Sequence, residues 1–376
     1  MSNQSVVISG SGLFTPENSI SNVELVDAFN QFVDAHNAEH SAAIEAGDMD
    51  ALAHSSSDFI VKASGIKSRF SIDKTGPLDP AIMHPLIPER SDSEQSLHCE
   101  VSLVAIKEAL AQAKKSIEDV DAVIVSSAAQ PRMYPALAIE IQAALGIDGY
   151  AYDMNVACSS ATFGIQAAYN SIRSGMASCV VVVNPEITSP QLNYRDRDSH
   201  FIFGDVCTAV VVESVDKVHP DAPAFGIVDI ELKTSFSNTI RNNFGYMNRC
   251  ATDAKTGDKL FYQEGRKVFK EVVPMVSSLI VEHLKKNTLE ADQLKRLWLH
   301  QANINMNVLI GKKVMGRDVE FHEAPIILDR YANTSSAGSI IAFHLNKEDF
   351  VSGDKGLICS FGAGYSIGNI IVERQG

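Results

Sequence analysis

Short runs of β-branched and apolar residues alternate along this chain with stretches whose apolar positions recur every three or four residues. Val6–Ser9, Ala122–Val125, Cys179–Val183 and Thr208–Val212 are nearly unbroken apolar runs, which predicts strands covered on both faces. Tyr150–Val156 also reads as extended. Helices are predicted over Val101–Ala113, Leu137–Leu145 and Ser160–Arg173, the last ended by Gly175. The second half repeats the theme. Phe225–Leu232, Arg296–Leu299, Ile326–Leu328, Gly356–Ser360 and Asn369–Glu373 read as strands. Gly265–Lys285, which carries Pro274, and Ser336–Leu345 read as helices. The pattern is that of an α/β chain.

Two stretches depart from it. Residues 31–58 are rich in Ala, His, Asp, Glu and Ser and read as a helical excursion on the surface. Residues 74–93 hold four prolines with little periodicity and read as an irregular loop. One comparison organises the rest. A strand, Ala157-Cys158-Ser159-Ser160-Ala161 and a helix occur in the first half. A strand, Ala332-Asn333-Thr334-Ser335-Ser336-Ala337 and a helix occur in the second. The two look like equivalent turns of a duplicated unit, with a break near residue 215, and a duplication places Cys158 and Asn333 at one pocket. The plainer alternative is ordinary N-capping chemistry, with Ser-Ser before a helix and Asn333 as a cap.

Composition narrows the function. The 376 residues carry a net charge of −14, which disfavours a nucleic-acid partner. No apolar run has the length of a membrane span, and the first residues lack the basic start of a secretory signal, so a cytoplasmic protein is expected. The six cysteines are scattered without a CxxC pair, so neither a metal site nor a disulfide framework is expected; most should be buried small hydrophobes. Cys158 differs by its place at a strand-to-helix junction, where a helix N-terminus favours the thiolate. His300 follows a strand directly, where α/β active sites form, although a satisfied core histidine fits that position too. The run Gly362–Gly368 has the wrong spacing for a dinucleotide fingerprint. It reads as a loop whose backbone N–H groups can approach a substrate.

In chain order, Asn155-Val156-Ala157-Cys158-Ser159-Ser160, His300-Gln301-Ala302-Asn303, Asn333-Thr334-Ser335 and Phe361-Gly362-Ala363-Gly364 resemble the motifs of β-ketoacyl-acyl-carrier-protein synthase III, of the thiolase superfamily. The resemblance runs nearly end to end and takes in Gly65-Ile66 and Phe203-Gly204-Asp205. It implies a duplicated, five-layered αβαβα fold with halves 1–215 and 216–376. It implies an acyltransferase that joins an acyl-CoA primer to malonyl-acyl-carrier protein with loss of carbon dioxide, using no cofactor or metal. Cys158 is then the acylated nucleophile. His300 and Asn333 donate to the malonyl thioester, and the N–H groups of Cys158 and Ala363 hold the oxyanion, Ala363 standing where the family usually has Gly. The insertion at 31–58 is similar to a longer branch that takes medium-chain primers, near octanoyl.

The resemblance also implies substrate contacts at Phe59, Arg197, Phe203 and Asn303. The family's adenine clamp changes here, with Phe59 and Ala63 at positions usually held by Trp and Arg, while Arg197 is retained. Lys270, Lys312 and Lys313 fall on carrier-docking positions, and Asn305 replaces a basic residue there. A homodimer is implied, with Tyr134 of the segment Arg132-Met133-Tyr134-Pro135 reaching into the partner's acyl pocket. Two other readings use the same three residues. A papain-like protease has Cys, His and Asn in this order, with the Asn orienting the His. A chalcone-type or quinolone-type polyketide enzyme uses malonyl-CoA with the same triad.

Overall fold

The computed structural model describes residues 5–91, 93–242 and 260–376. Its strands are β1 (Val6–Phe14), β2 (Asn18–Ser21), β3 (Ser68–Ser71), β4 (Ala122–Ser126), β5 (Tyr150–Met154), β6 (Cys179–Glu186), β7 (Val206–Ser214), β8 (Phe225–Ser237), β9 (Ile240–Arg241), β10 (Tyr262–Gln263), β11 (Leu294–Leu299), β12 (Lys355–Gly362) and β13 (Gly364–Arg374). Its helices are α1 (Asn22–Glu39), α2 (Ser41–Ala46), α3 (Ser57–Ser64), α4 (Leu97–Ala113), α5 (Leu137–Leu145), α6 (Ser160–Arg173), α7 (Gly265–Lys286), α8 (Ile304–Met315), α9 (Leu328–Tyr331) and α10 (Ala337–Leu345).

The main sheet has two wings. In the first, ordered β5-β4-β6-β7-β1, β4 runs parallel to β5 and β6, while β6–β7 and β7–β1 are antiparallel. In the second, ordered β11-β12-β13-β8, β11–β12 is parallel and the other pairs are antiparallel. The wings join where β1 meets β8, through Val7 opposite Gly226 and Ile8 opposite Phe225. Helices α6 and α10 lie between the wings. Their Ala161, Ile165, Ile340 and Ile341 share one core with Val180 and Val210 of the first wing and Ile358 and Ile370 of the second. The outer face of the first wing is covered by α4 and α5, that of the second by α7 and α8. The result is the five-layered αβαβα arrangement. The runs of Val in β6 and β7 are buried throughout because helices cover both faces.

Three elements differ from the sequence-based expectation. β1 does not stop at Ser9 but continues through Gly10-Ser11-Gly12. A Cβ at Gly10 or Gly12 would lie 2.1 Å from a carbonyl oxygen of α4, so these glycines let the helix lie against the strand rather than ending it. Ile326–Leu328 is not a strand: Ile326 and Ile327 lie outside regular structure and Leu328 opens α9. The N–H groups of Ile327 and Leu328 go to Oε1 of Gln301 instead of to a ladder. A short apolar run does not by its pattern distinguish a strand from other buried backbone. Most of the Gly362–Gly368 run is also strand, since Gly362 pairs with Ser366 and only Ala363 lies between β12 and β13.

The 31–58 excursion belongs to a longer unit. α1 starts at a capping box formed by Ser21 and Glu24. The chain returning after α2 is held to α1 by paired bonds, Asn30 with Ser55 (2.9 and 3.2 Å) and Asn37 with Leu52 (2.9 and 3.0 Å). The inner face of α1, Leu25, Phe29 and Val33, is buried against Ile60, Tyr194 and Phe201–Phe203, so the unit packs on one wall of the central cavity. Cys99, Cys179, Cys207 and Cys359 are buried free thiols, and Cys158 is half-buried; Cys250 lies outside the described residues. Among the described residues no helix is long and apolar enough to cross a membrane.

Candidate active site

β5 ends at Met154, and the chain makes one tight turn, Ala157–Ser159, before α6 begins. Ala157 adopts φ +48°, a left-handed conformation uncommon for a residue with a Cβ. The Ser160 hydroxyl closes the turn, accepting from Val156 N–H (2.8 Å) and donating to Ala157 O (2.7 Å). Ser159 ties it to the hairpin by donating to Ser366 O (2.9 Å). The hairpin comes so near that a Cβ on Gly362 would lie 2.5 Å from Cys158 Cβ and 2.9 Å from its sulfur. Sequence therefore dictates a close approach here, with Gly at the contact and Cys at the apex.

Part of Cys158 opens on the cavity, yet its sulfur is deep enough that burial pushes the thiol up to about 11. The negative charge of Glu186 adds to this. The Ser335 hydroxyl, 3.7 Å from the sulfur, and the N–H groups of Ala363 and of Cys158 itself act in the opposite direction. The expectation that the helix N-terminus favours the thiolate is thus corrected: desolvation outweighs the local donors, and Cys158 is a thiol at pH 7. The two backbone donors expected at an oxyanion both lie against this sulfur.

His300 follows β11 and is buried, with its N–H bonded to Cys359 O (2.7 Å) and its ring edge-on to Phe361 at 5.1 Å. Burial pushes it down to about 4, the main chain of Ser335 opposing, so the imidazole is neutral at pH 7 and can serve as a hydrogen-bond donor. Asn333 is not a helix cap. α10 starts four residues later, directly after Ser336, and the Asn333 Oδ1 accepts from Ser335 N–H (2.9 Å). With that oxygen occupied, the amide nitrogen is the atom left for a ligand. The Asn333 main chain is pinned on both sides, donating to Ile202 O (2.9 Å) and accepting from Gly204 N–H (3.1 Å).

Cys158, His300 and Asn333 line one cavity of about 920 Å3, with Gly362 and Phe361 on one side and Phe59, Phe203 and Phe261 on another. The first matching family model, 3-oxoacyl-[acyl-carrier-protein (ACP)] synthase III, covers residues 152–235, and that family's C-terminal model covers residues 284–374. The chain is 58% identical over 352 residues to the β-ketodecanoyl-[acyl-carrier-protein] synthase of Pseudomonas aeruginosa, an alignment covering 93% of this chain and 100% of the relative. The chain belongs to the 3-oxoacyl-[acyl-carrier-protein] synthase III family. A more distant member, β-ketoacyl-[acyl-carrier-protein] synthase III of Bartonella henselae, is 28% identical over 87% of this chain and 93% of its own. The fold matches the crystal structure of the Aquifex aeolicus synthase III with a TM-score of 0.75, at 23% identity over 98% of this chain and 99% of that one.

As a synthase III, the protein is an acyltransferase of the condensing type, and the protease and chalcone-type readings fall. Geometry opposes the protease independently, because Asn333 bonds to Ser335 and does not orient His300, whose Nδ1 has no partner among the described residues. The remaining sequence-predicted residues are placed as follows. Phe203 lines the cavity, 4.7 Å edge-to-face from Phe261. Asn303 lines it too, but its side chain caps α8 through Asn305 N–H (2.9 Å) and donates to Ala63 O (2.8 Å), so most of its bonding capacity is structural. Phe59 borders the cavity with the Arg197 guanidinium 3.9 Å from its ring centre, and Arg197 Nε donates to His54 O (2.7 Å) of the 31–58 unit. Lys270 is at the cavity mouth; Lys312 and Lys313 are exposed on α8, Lys312 paired with Asp318 at 2.8 Å. Tyr134 is 85% exposed and does not line this chain's cavity. Asp229, Glu231 and His283 also converge, far along the chain from the triad, with the Lys286 ammonium 2.9 Å from both carboxylates.

Sequence reasoning missed Glu186, Ser335 and Ser336, which surround the triad. The one available signal was an acidic residue closing the strand that begins with the apolar run Cys179–Val183.

Proposed function

We propose that the protein carries out a decarboxylating Claisen condensation. The primer thioester acylates Cys158 with release of CoA thiol, the N–H groups of Cys158 and Ala363 holding the tetrahedral oxyanion. Malonyl-acyl-carrier protein then loses carbon dioxide, and its enolate oxygen is stabilised by His300 and Asn333. The enolate carbon attacks the acyl carbon, returning the sulfur and leaving a β-ketoacyl carrier protein. The observation that carries this reading is the convergence, in one cavity, of a thiol flanked by two backbone N–H groups with a neutral imidazole and a carboxamide whose oxygen is already bonded.

The primer is a medium-chain acyl-CoA near octanoyl. A β-ketodecanoyl product has ten carbons, of which decarboxylative condensation supplies two, and the relative with that product name shares 58% identity. Each buried methylene contributes about 0.8 kcal/mol when a dry pocket receives it. Phe59, Arg197, Phe203 and Asn303 contact the substrate arm, and Lys270, Lys312 and Lys313 meet the carrier, offsetting locally the net charge of −14. Residues 1–215 and 216–376 form the two halves of the condensing unit, working in the cytoplasm without a cofactor.

Peptide-resolved mass spectrometry after incubation with acyl-CoAs of two to twelve carbons tests this. Label should sit on Cys158, be absent from Cys158→Ala, and be formed most efficiently near eight carbons; a maximum at two carbons would refute the chain-length assignment. The functional unit is a homodimer in which Tyr134 of each subunit reaches the other's acyl pocket, consistent with its exposure beside Met133. Sedimentation at micromolar concentration should give the dimer, and a monomer would remove this part of the reading.

A further inference from the structure

We propose that Glu186 is a positioning residue of the condensing site, whose buried carboxyl locks the Asn333 loop to the first wing and sets the charge against which the Cys158 thiolate must form. This rests on the reading of Cys158 as the nucleophile.

Glu186 closes β6 and is fully buried. Its Oε1 accepts from the Ser336 hydroxyl and from Ala128 N–H (3.1 Å). Its Oε2 has no hydrogen-bond partner among the described residues. Ser336 stands directly before α10, three residues after Asn333, and its hydroxyl also lies 3.4 Å from Ser126 O. The Ser126 hydroxyl in turn donates to Ser160 O, at the start of the helix that follows Cys158. One carboxyl therefore anchors a short path of hydrogen bonds between the two helix starts that carry the nucleophile and the amide donor.

A bare carboxylate oxygen in a protein interior is costly, and its presence calls for a reason. Burial pushes Glu186 up to about 7, with the bonds from Ser336 and Ala128 opposing. The titratable side chains on which its charge acts are Cys158, from the elbow, and Cys207, from β7. Cys207 is itself pushed up by burial and has Ser102 of α4 at 3.8 Å, away from the cavity. The coupled pair at the site is thus Glu186 and Cys158. As pH rises through 7 the carboxyl gains charge, and the thiolate becomes harder to form just as hydroxide becomes available to form it. Once the sulfur is acylated it bears no charge and the repulsion disappears, so an ionised Glu186 favours the acyl-enzyme over the free thiolate.

Glu186→Gln keeps an acceptor for Ser336 and Ala128 while deleting the charge. In the full-length protein, the rate of Cys158 alkylation by iodoacetamide is measured from about pH 6 to pH 9, read on the Cys158 peptide. The variant should react about tenfold faster at pH 8, with a steeper, single-proton rise. A profile superimposable on the parent's overturns the electrostatic role. If the variant does not fold, the parent's own profile decides: a rise shallower than one proton supports the coupling, and a simple one-proton curve overturns it. Ser336→Ala retains the charge and removes the lock. It should slow malonyl decarboxylation about tenfold while Cys158 acylation by octanoyl-CoA holds; decarboxylation at the parent rate overturns the positioning role. Should octanoyl-CoA fail to label Cys158 in the parent, the proposed function fails, and the alkylation profiles still judge Glu186 separately.

Discussion

The Cys158 elbow and the Asn333 elbow are built alike and finished differently. Each places an alanine with positive φ directly before its functional residue, Ala157 at +48° and Ala332 at +56°, and each runs through a Ser pair into a helix between the wings. The first leaves a strand, β5; the second leaves the single turn α9, because its apolar lead-in Ile326–Ile327 forms no ladder. At the first, donors are gathered around a sulfur that is left free to react. At the second, the side-chain oxygen is bonded to the loop's own Ser335 N–H, and only a donor remains. A repeated backbone frame has thus been given opposite polarity at its two copies: one presents a thiol among hydrogen-bond donors, and the other presents a carboxamide nitrogen as a donor.

The largest break in this comparison should come from Asn333→Ala or His300→Ala. Each should lower malonyl decarboxylation by on the order of 10²–10³ while leaving Cys158 acylation by octanoyl-CoA far less affected. Single-turnover measurement of each half-reaction checks it, and equal losses in both would erase the division between the elbows. The smallest effect should come from relieving backbone strain. Ala332 has φ 56° and ψ −156°, a conformation costing of order 1–3 kcal/mol for a residue with a Cβ. Ala332→Gly should stabilise the fold by about 1 kcal/mol, after the entropy lost to glycine in the unfolded chain. Thermal unfolding measures this, and a lower melting temperature would mean that the alanine methyl packs for more than its strain.

Much of this was readable before the fold was known, and the exceptions share a cause. Leu137–Leu145 and Ser160–Arg173 coincide with their predicted spans because periodicity and end signals agree locally. That Cys158, His300 and Asn333 would share a cavity was legible because each carries a motif in its own neighbours. What the pattern did not reveal depends on residues distant in sequence. Ile326–Leu328 is apolar because it is buried, and its backbone is satisfied by Gln301, 26 residues from Ile327. The Cys158 thiol is raised by desolvation, a property of the closed site and not of the helix that follows it. Glu186 acquires its role from Ser336, 150 residues away.

The β12–β13 hairpin has a consequence for how this enzyme can diversify. Only Ala363 lies between its two strands, and ladder pairs hold it from Gly362 opposite Ser366 outward. The side of the cavity formed by the hairpin is therefore anchored to the sheet, with Gly362 already in contact distance of Cys158. The facing side is made from Phe59 and Phe203 of the wall covered by the α1 unit, Phe261 beside β10, and Phe269 of α7. Side chains there can change size without moving a ladder. Lineages descended from such a protein would be expected to alter their preferred acyl length by substitutions on that one side, while the hairpin and both elbows stay constant.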